Sequence, residues 1–507
     1  MRFSLSSLVS PSRSGVLVLA VALAAFGLAV GCDSRFEDVN TNPNEPEAVN
    51  PNLLLPNIIR SSVNTSVNTA HTTGNLVLQY VSKVSFATDI DRYNWGGLGY
   101  WNELYEDLRN VDTMIQRAQE LDNPNYEGVG LVMKSWIFSM LTNAYGTVPY
   151  TEAASVLDEG VETPAYTSQE EIYRGMLSDL EEANSLIDPG SGLIEGDILY
   201  NGDLLKWKKL ANSLRLRLLM QLSEKQGEID GVSVSDEFQS IVNTPSQNPV
   251  FGSNQDNAAL EYRTARPNEW PPHTSRIGGF RTYRMSETLT NTLLALDDPR
   301  LPVFADSTAA PVEGVTCDEL ETYEGVPNGL TDDASDNFNG GRDCQSSLNT
   351  VRYFEEPNAA KGLVMTYAEV LFLRAEAAER GWTQEDARSL YEGGIQASMN
   401  QYGQSVPDGY LSQSGVEYAT DSQEEAIDQI NKQKWVALFY TGMEGWFNWR
   451  RTGVPDIEPA VNNVNNDRIP VRFRYPESEQ SLNGESYQAA VERQGPDNIN
   501  TEIWLLE

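Results

Sequence analysis

Sugar rings present flat C–H faces that stack on indole and phenol rings, while Asn, Asp and Arg side chains satisfy the hydroxyls around them. Two irregular stretches of this 507-residue chain carry that mixture: Asp89-Ile-Asp-Arg-Tyr-Asn-Trp-Gly-Gly-Leu-Gly-Tyr100 and Glu269-Trp-Pro-Pro-His-Thr-Ser-Arg-Ile-Gly-Gly-Phe-Arg-Thr-Tyr283. Neither offers an apolar stripe for its aromatics to join. The candidate ligand-binding residues are therefore Tyr93, Trp95, Trp270 and Tyr283 as stacking rings, with Asp91, Arg92, His273 and Arg276 as polar partners. The competing reading is that Trp95 and Trp270 plug the ends of helix pairs, because Trp is seldom fully exposed.

Covalent and metal chemistry find little support. His71 and His273 are the two histidines of the chain, which excludes a His-rich metal centre, and three cysteines are too few and too scattered for a zinc site. No nucleophile elbow, zincin motif or phosphate loop occurs. A pair of carboxylates could serve a glycosidase, yet carboxylates carry little information among 73 Asp+Glu. The expectation is a binding protein rather than an enzyme, with no cofactor and no metal. The oxygen-rich segment Thr331 to Asp343 lacks the one-three-five spacing of a calcium loop, since Phe338 takes a ligand place when Asp336 is counted first; it reads as Asx-turns on a solvated loop, with a bound calcium ion as the alternative. With 36 Lys+Arg the net charge is −37, so a nucleic-acid backbone would be repelled.

The supporting elements begin with an address label. Arg2 and Arg13 precede an unbroken small-and-apolar run from Gly15 to Gly31, which ends at Cys32. That is the basic and apolar pattern of a secretory signal closing on a lipobox, although Ala29 stands where Leu is usual. Residues 1–31 are read as a lipoprotein signal peptide, with a single uncleaved membrane helix as the alternative, Cys32 as the lipidated residue, 32–52 as an extended tether rich in Asn and Pro, and 53–507 as one helical body. In an oxidising compartment Cys317 and Cys344 form the remaining even pair and the expected disulfide, with two buried thiols as the alternative.

Within the body, Leu104, Leu108, Val111 and Ile115 make one apolar helical stripe that Asp122-Asn123-Pro124 ends. Capping boxes at Ser168/Glu171, Thr366/Glu369, Thr383/Asp386 and Ser422/Glu425 announce further helices, and Gly381 stops the one that starts after Thr366. Helices in short-linked pairs are roughly tetratricopeptide-sized, and Trp-x-x-Leu at Trp101/Leu104 and Trp207/Leu210 echoes that repeat. Between about 230 and 360 the text turns to Asn, Gly, Pro and Asp, a loop-rich insertion. Arg374, Glu376, Glu444, Arg450 and Arg451 lie inside apolar helical text and are read as charge pairs tying helices together.

Three longer segments, Trp207 to Met220, Tyr367 to Trp382 and Gln433 to Pro455, resemble the SusD/RagB family, with further agreement at Asn40-Thr-Asn-Pro-Asn44, Asp298-Pro-Arg300, Ile469 to Pro476 and Ile503-Trp504. The resemblance implies a mainly α fold of tetratricopeptide-like helix pairs with a loop-rich ligand-binding face. It implies a cell-surface lipoprotein of the outer membrane that captures glycans and passes them to a TonB-dependent, SusC-like transporter. The same role with oligopeptide cargo, or a structural repeat scaffold without a soluble ligand, are the alternatives. The two aromatic stretches correspond by position to regions that contribute ligand contacts in relatives.

Overall fold

The computed structural model describes residues 49–85, 89–153, 162–227, 229–308, 316–318 and 322–507. The signal segment, Cys32 and the tether as far as residue 48 lie outside the described residues. The first helix, α1 (Pro51–Thr69), starts two residues earlier than the expected body: Asn50 caps it by accepting the Asn52 N–H, and Pro51 sits in the first turn, where a missing N–H costs nothing. Its buried stripe is Leu55, Ile58, Ile59, Val63 and Val67.

The expected apolar stripe forms α2 (Trp101–Glu120), with Leu104, Leu108, Val111 and Met114 buried and Ile115 packed against them from the rim. Asp122 takes a left-handed conformation (φ +51°), and Pro124 opens α3 (Pro124–Tyr145), whose residues are nearly all buried. A helix apolar all round belongs in the middle, and α3 packs on both α2 and α4 (Gln169–Leu186). Ser168 and Glu171 close the capping box that starts α4. Then come α5 (Leu204–Gln221), packed on α4, and the short α6 (Val234–Asn243) and α7 (Glu287–Ala295).

The second helical group is α8 (Tyr367–Glu379), α9 (Ala387–Gln401), α10 (Gln423–Ala437) and α11 (Glu444–Thr452). Gly381, at φ +75°, stands in the left-handed turn that ends α8, as expected of a C-terminal glycine. One cap differs from the expectation. Asp386, not Thr383, accepts the Ser389 N–H at the start of α9, because the carboxylate sits at the residue directly before the first turn while Thr383 is buried. The fold is mainly α, with α12 (Gly484–Gln494) near its end.

Strands are short and pair antiparallel in twos: β1 (Val81–Lys83), β2 (Val148–Pro149), β3 (Tyr166–Thr167), β4 (Ala258–Glu261), β5 (Tyr283–Met285) and β6 (Lys361–Met365) give β1–β5, β2–β3 and β4–β6. Asn50–Glu507 cluster as one unit. The 230–360 region holds α6, α7, β4 and β5, joined by irregular segments and single helical turns. Cys317 and Cys344 are bonded within it, their Cα atoms 5.6 Å apart, and Asp332–Asn337 forms a short helix capped by Thr331, with Asp336 in an ion pair with Arg342.

The interior charges tie helices together. Arg217 of α5 grips Glu369 of α8 at 2.6 and 2.7 Å and lies 3.4 Å from Glu444 of α11. Burial pushes the Glu444 carboxyl up to about 7 even against the pull of Arg217. Arg450 donates to the carbonyls of Val471 and Asn143, and Arg374 pairs with Glu385 just beyond α8.

Candidate ligand groove

The two aromatic stretches fold inward. Trp95 is 4% exposed, its Nε1 donating to the Ile90 carbonyl at 3.0 Å and its ring lying 5.7 Å from Trp446 and 5.4 Å from Phe473. Tyr93 is buried in a left-handed backbone conformation (φ +66°) that a bulky residue adopts only when its surroundings enforce it; here its hydroxyl accepts the Ala460 N–H at 3.0 Å. Asp91 is buried and accepts from Ser82, Asn328 and the Lys83 and Gly329 amides. Desolvation nevertheless outweighs those donors and pushes its carboxyl up to about 6. Arg92 is half-buried, with Nε on the Asn462 carbonyl at 2.7 Å.

The second stretch is closed in the same way. Trp270 is fully buried and donates from Nε1 to the Tyr353 carbonyl. His273 is buried with Nδ1 2.6 Å from the Phe354 carbonyl, which makes that nitrogen the protonated one, and Arg276 donates back to the His273 carbonyl at 2.9 Å. Tyr283 is buried against His71, ring centroids 4.3 Å apart. His71 in turn meets the Tyr440 hydroxyl at 2.8 Å, and Tyr440 packs 5.6 Å from Trp270. Burial, then the nearby Lys83 charge, lowers His71 to about 3.

These positions correct the expectation of an exposed aromatic face. Six of the eight residues, Asp91, Tyr93, Trp95, Trp270, His273 and Tyr283, are buried, and Arg92 and Arg276 are half-buried and hydrogen-bonded to backbone. The structure joins Trp270 to Tyr283 through Tyr440 and His71, whereas Trp95 belongs to a separate aromatic cluster. The physical reason is area: each large ring withdraws about 150–250 Å² from water, so a loop without helical periodicity still turns its rings inward.

Open space lies elsewhere. A groove of about 970 Å³ is walled by α1 at Pro56 and Arg60, the 196–201 loop with Lys206, the turn at 254–257, the β4–β6 pair and the end of α9. Each wall has a local cause. Asp197 organises its loop by accepting the Leu199, Tyr200 and Gly202 amides and the Trp207 Nε1, all at 2.8–3.0 Å. Gly196, at φ +77°, lets that loop touch α1, since a Cβ there would stand 2.1 Å from the Asn52 carbonyl oxygen. The 254–257 turn is stitched to α9: Asn254 donates to the Ala397 carbonyl at 2.9 Å and Asn257 to the Gln401 side chain at 3.2 Å. The β4–β6 floor pairs Leu260 with Gly362 and Glu261 with Lys361, the latter pair also bridged by a 2.7 Å ion pair. Gly362 is required, because a Cβ would meet Val63 of α1 at 2.4 Å.

Lys361, Leu363 and Gln401 also line a second, smaller recess of about 50 Å³, closed by Trp270, Tyr353, Tyr402 and Tyr440. Tyr353 and Tyr440 stack at 4.8 Å and 11°, and the Arg352 guanidinium sits 5.2 Å over Tyr402. Trp270 is thus the one residue expected from sequence that borders this space, as its buried end wall.

The groove wall is rich in amides, Asn201, Asn268 and Asn400 among them, which offer a donor and an acceptor each to a polyhydroxylated ligand. The Asn254 Oδ1 atom is buried without a hydrogen-bond partner. None of these residues was expected from sequence, and the legible signal was faint: Tyr200-Asn201, Asn254-Gln-Asp-Asn257 and Asn400-Gln401 are polar clusters of a common kind.

The family model described as starch-binding and associating with the outer membrane, of the SusD-like type, matches residues 43–476. A SusD homologue from Bacteroides fragilis superposes with a TM-score of 0.75 at 28% identity, covering 90% of this chain and 99% of its own. An outer membrane protein of Bacteroides vulgatus ascribed to nutrient binding gives 0.79 at 28%, covering 90% and 100%. A chitin-binding protein gives 0.76 at 27%, covering 90% and 99%. Among curated proteins none matches the chain.

Proposed function

The chain belongs to the SusD-like family of starch-binding proteins that associate with the outer membrane, and from that premise we propose that it captures glycans at the cell surface and delivers them to a TonB-dependent, SusC-like transporter. The observation that carries the reading is the 970 Å³ groove, near the upper end of the usual ligand-pocket range of about 300–1,000 Å³ and walled by amides and cations beside apolar side chains such as Leu199, Leu260 and Leu363. The likeness to a chitin-binding protein over 90% of the chain supports the same cargo class. Lipid attachment at Cys32 would hold the protein at the outer membrane and leave the described body free to meet the transporter.

The test is calorimetric titration of the full-length protein, in detergent, with a panel of oligosaccharides and peptide digests, alongside Asn201→Ala and Asn400→Ala. Binding of a saccharide class that weakens about tenfold in the variants, with Tm unchanged, supports the groove. Binding by peptide digests alone gives the cargo to the oligopeptide alternative, and saccharide binding indifferent to both variants moves the site away from the groove. Recovery of a β-barrel transporter with the wild-type protein from outer membranes, and loss of palmitate labelling in Cys32→Ala, test the partner and the anchor.

A further inference from the structure

The groove is electropositive in a protein whose formal charge is −37. Four basic residues line it, Arg60, Lys206, Arg263 and Lys361, against two acids, Asp197 and Glu261. Asp197 is spent: it is buried and accepts four hydrogen bonds from its own loop and from Trp207. Glu261 is paired with Lys361. Among the described residues Arg60, Lys206 and Arg263 have no carboxylate within ion-pair distance; Arg60 donates to the Asn57 side chain, and the Lys206 ammonium lies 5.7 Å over the Tyr200 ring.

In a chain with two acids for each basic residue, three basic residues without an acid partner come from separate segments to one groove. Lysine numbers only nine in the sequence, and two of the nine are here. At ordinary ionic strength charges beyond about 8–10 Å are screened, so a ligand inside the groove feels this local set more than the acidic exterior.

The geometry points to an anionic oligosaccharide, one bearing carboxylate or sulfate groups, as the class of glycan this groove takes. The assignment rests on the glycan-binding reading above. Arg60 and Arg263 would meet the acid groups as flat, multi-donor guanidinium ions, Lys206 and Lys361 would add point charge, and the amides would take the hydroxyls. Glu261 sets a limit on the field by neutralising Lys361.

The experiment titrates full-length protein in detergent with oligogalacturonate, with its carboxyl-reduced neutral counterpart, with a sulfated oligosaccharide and with polyglutamate, using wild type, Arg60→Gln/Arg263→Gln and Glu261→Gln. These side chains lie at the surface or half-buried, so the folds should hold, and Tm is checked for each. The expected result is that one anionic saccharide binds about tenfold tighter than the neutral one, that the double variant loses this preference, and that Glu261→Gln strengthens it severalfold. The carboxylated and sulfated arms then separate the two acid chemistries. Equal binding of the acidic and reduced saccharides, unchanged in the variants, overturns the charge assignment and leaves the glycan reading standing. No saccharide bound at all defeats the glycan reading itself, and polyglutamate bound above every saccharide overturns both.

Discussion

Arg451 of α11 and Glu376 of α8 meet as a two-pronged pair in the protein interior, Nη1 to Oε1 at 2.6 Å and Nη2 to Oε2 at 2.8 Å, with both side chains at most 2% exposed. The Arg451 Nη1 also donates to Ser223, and Nη2 to Asn448, whose amide reaches Asn431 of α10. One guanidinium therefore holds two helices and the end of a third.

Arg451→Ala should cost about 3–5 kcal/mol, because it strands a buried carboxylate rather than removing a neutral contact. Urea unfolding of the variant checks this. A loss under 1 kcal/mol would show that the pair relaxes into water.

Acid should act through the same carboxyl. Desolvation alone would raise Glu376, but the Arg451 charge and hydrogen bonds, with Lys434 and Arg380, prevail and hold it at about 2. Its folded value lies below its unfolded one, so its stabilising share is complete above about pH 4.5 and is lost as pH falls toward 2. The acid limb of the stability curve should flatten in Glu376→Gln, measured against wild type from pH 6 to 2.

Asp107 should behave in the opposite sense. It sits on α2 beside the Ser62 hydroxyl at 3.0 Å, and burial pushes its carboxyl up to about 6. The folded state holds this proton longer than the unfolded chain, so stability declines from about pH 4 to 6 and stays lower above. Asp107→Asn should therefore gain about 1 kcal/mol at pH 8, a figure reduced for solvent screening, and little at pH 4.

Trp95→Ala and Trp270→Ala should each destabilise by about 3–5 kcal/mol, as truncations of well-packed indoles do. Thermal melts beside binding titrations separate this from a ligand contact. An unchanged Tm with lost binding would restore the exposed-face expectation.

Reduction of the Cys317–Cys344 bond frees a separation of 27 residues and should cost about 3–4 kcal/mol by loop entropy. Comparing melts of Cys317→Ser/Cys344→Ser and wild type reads this out.

The helical half of the molecule was legible because its signals are local. Ser168, Thr366 and Ser422 cap the helices they announce, the Leu104–Val111 stripe is buried, and Gly381 ends α8. The groove was not, because Arg60, Lys206, Asn254, Lys361 and Gln401 come together only by tertiary packing and share no period. Nor does an irregular stretch declare which way its rings point. Tyr93 and Trp270 share the composition of a binding loop and the burial of a core.

Gly362 draws α1 onto the β4–β6 floor by having no side chain, and α1 then supplies a wall of the groove. The groove is thereby made to wait on a long-range contact: residue 60 must come to residue 361 before its walls exist. A chain assembled in only one of its halves lacks the groove, so the groove exists only once the whole body has closed.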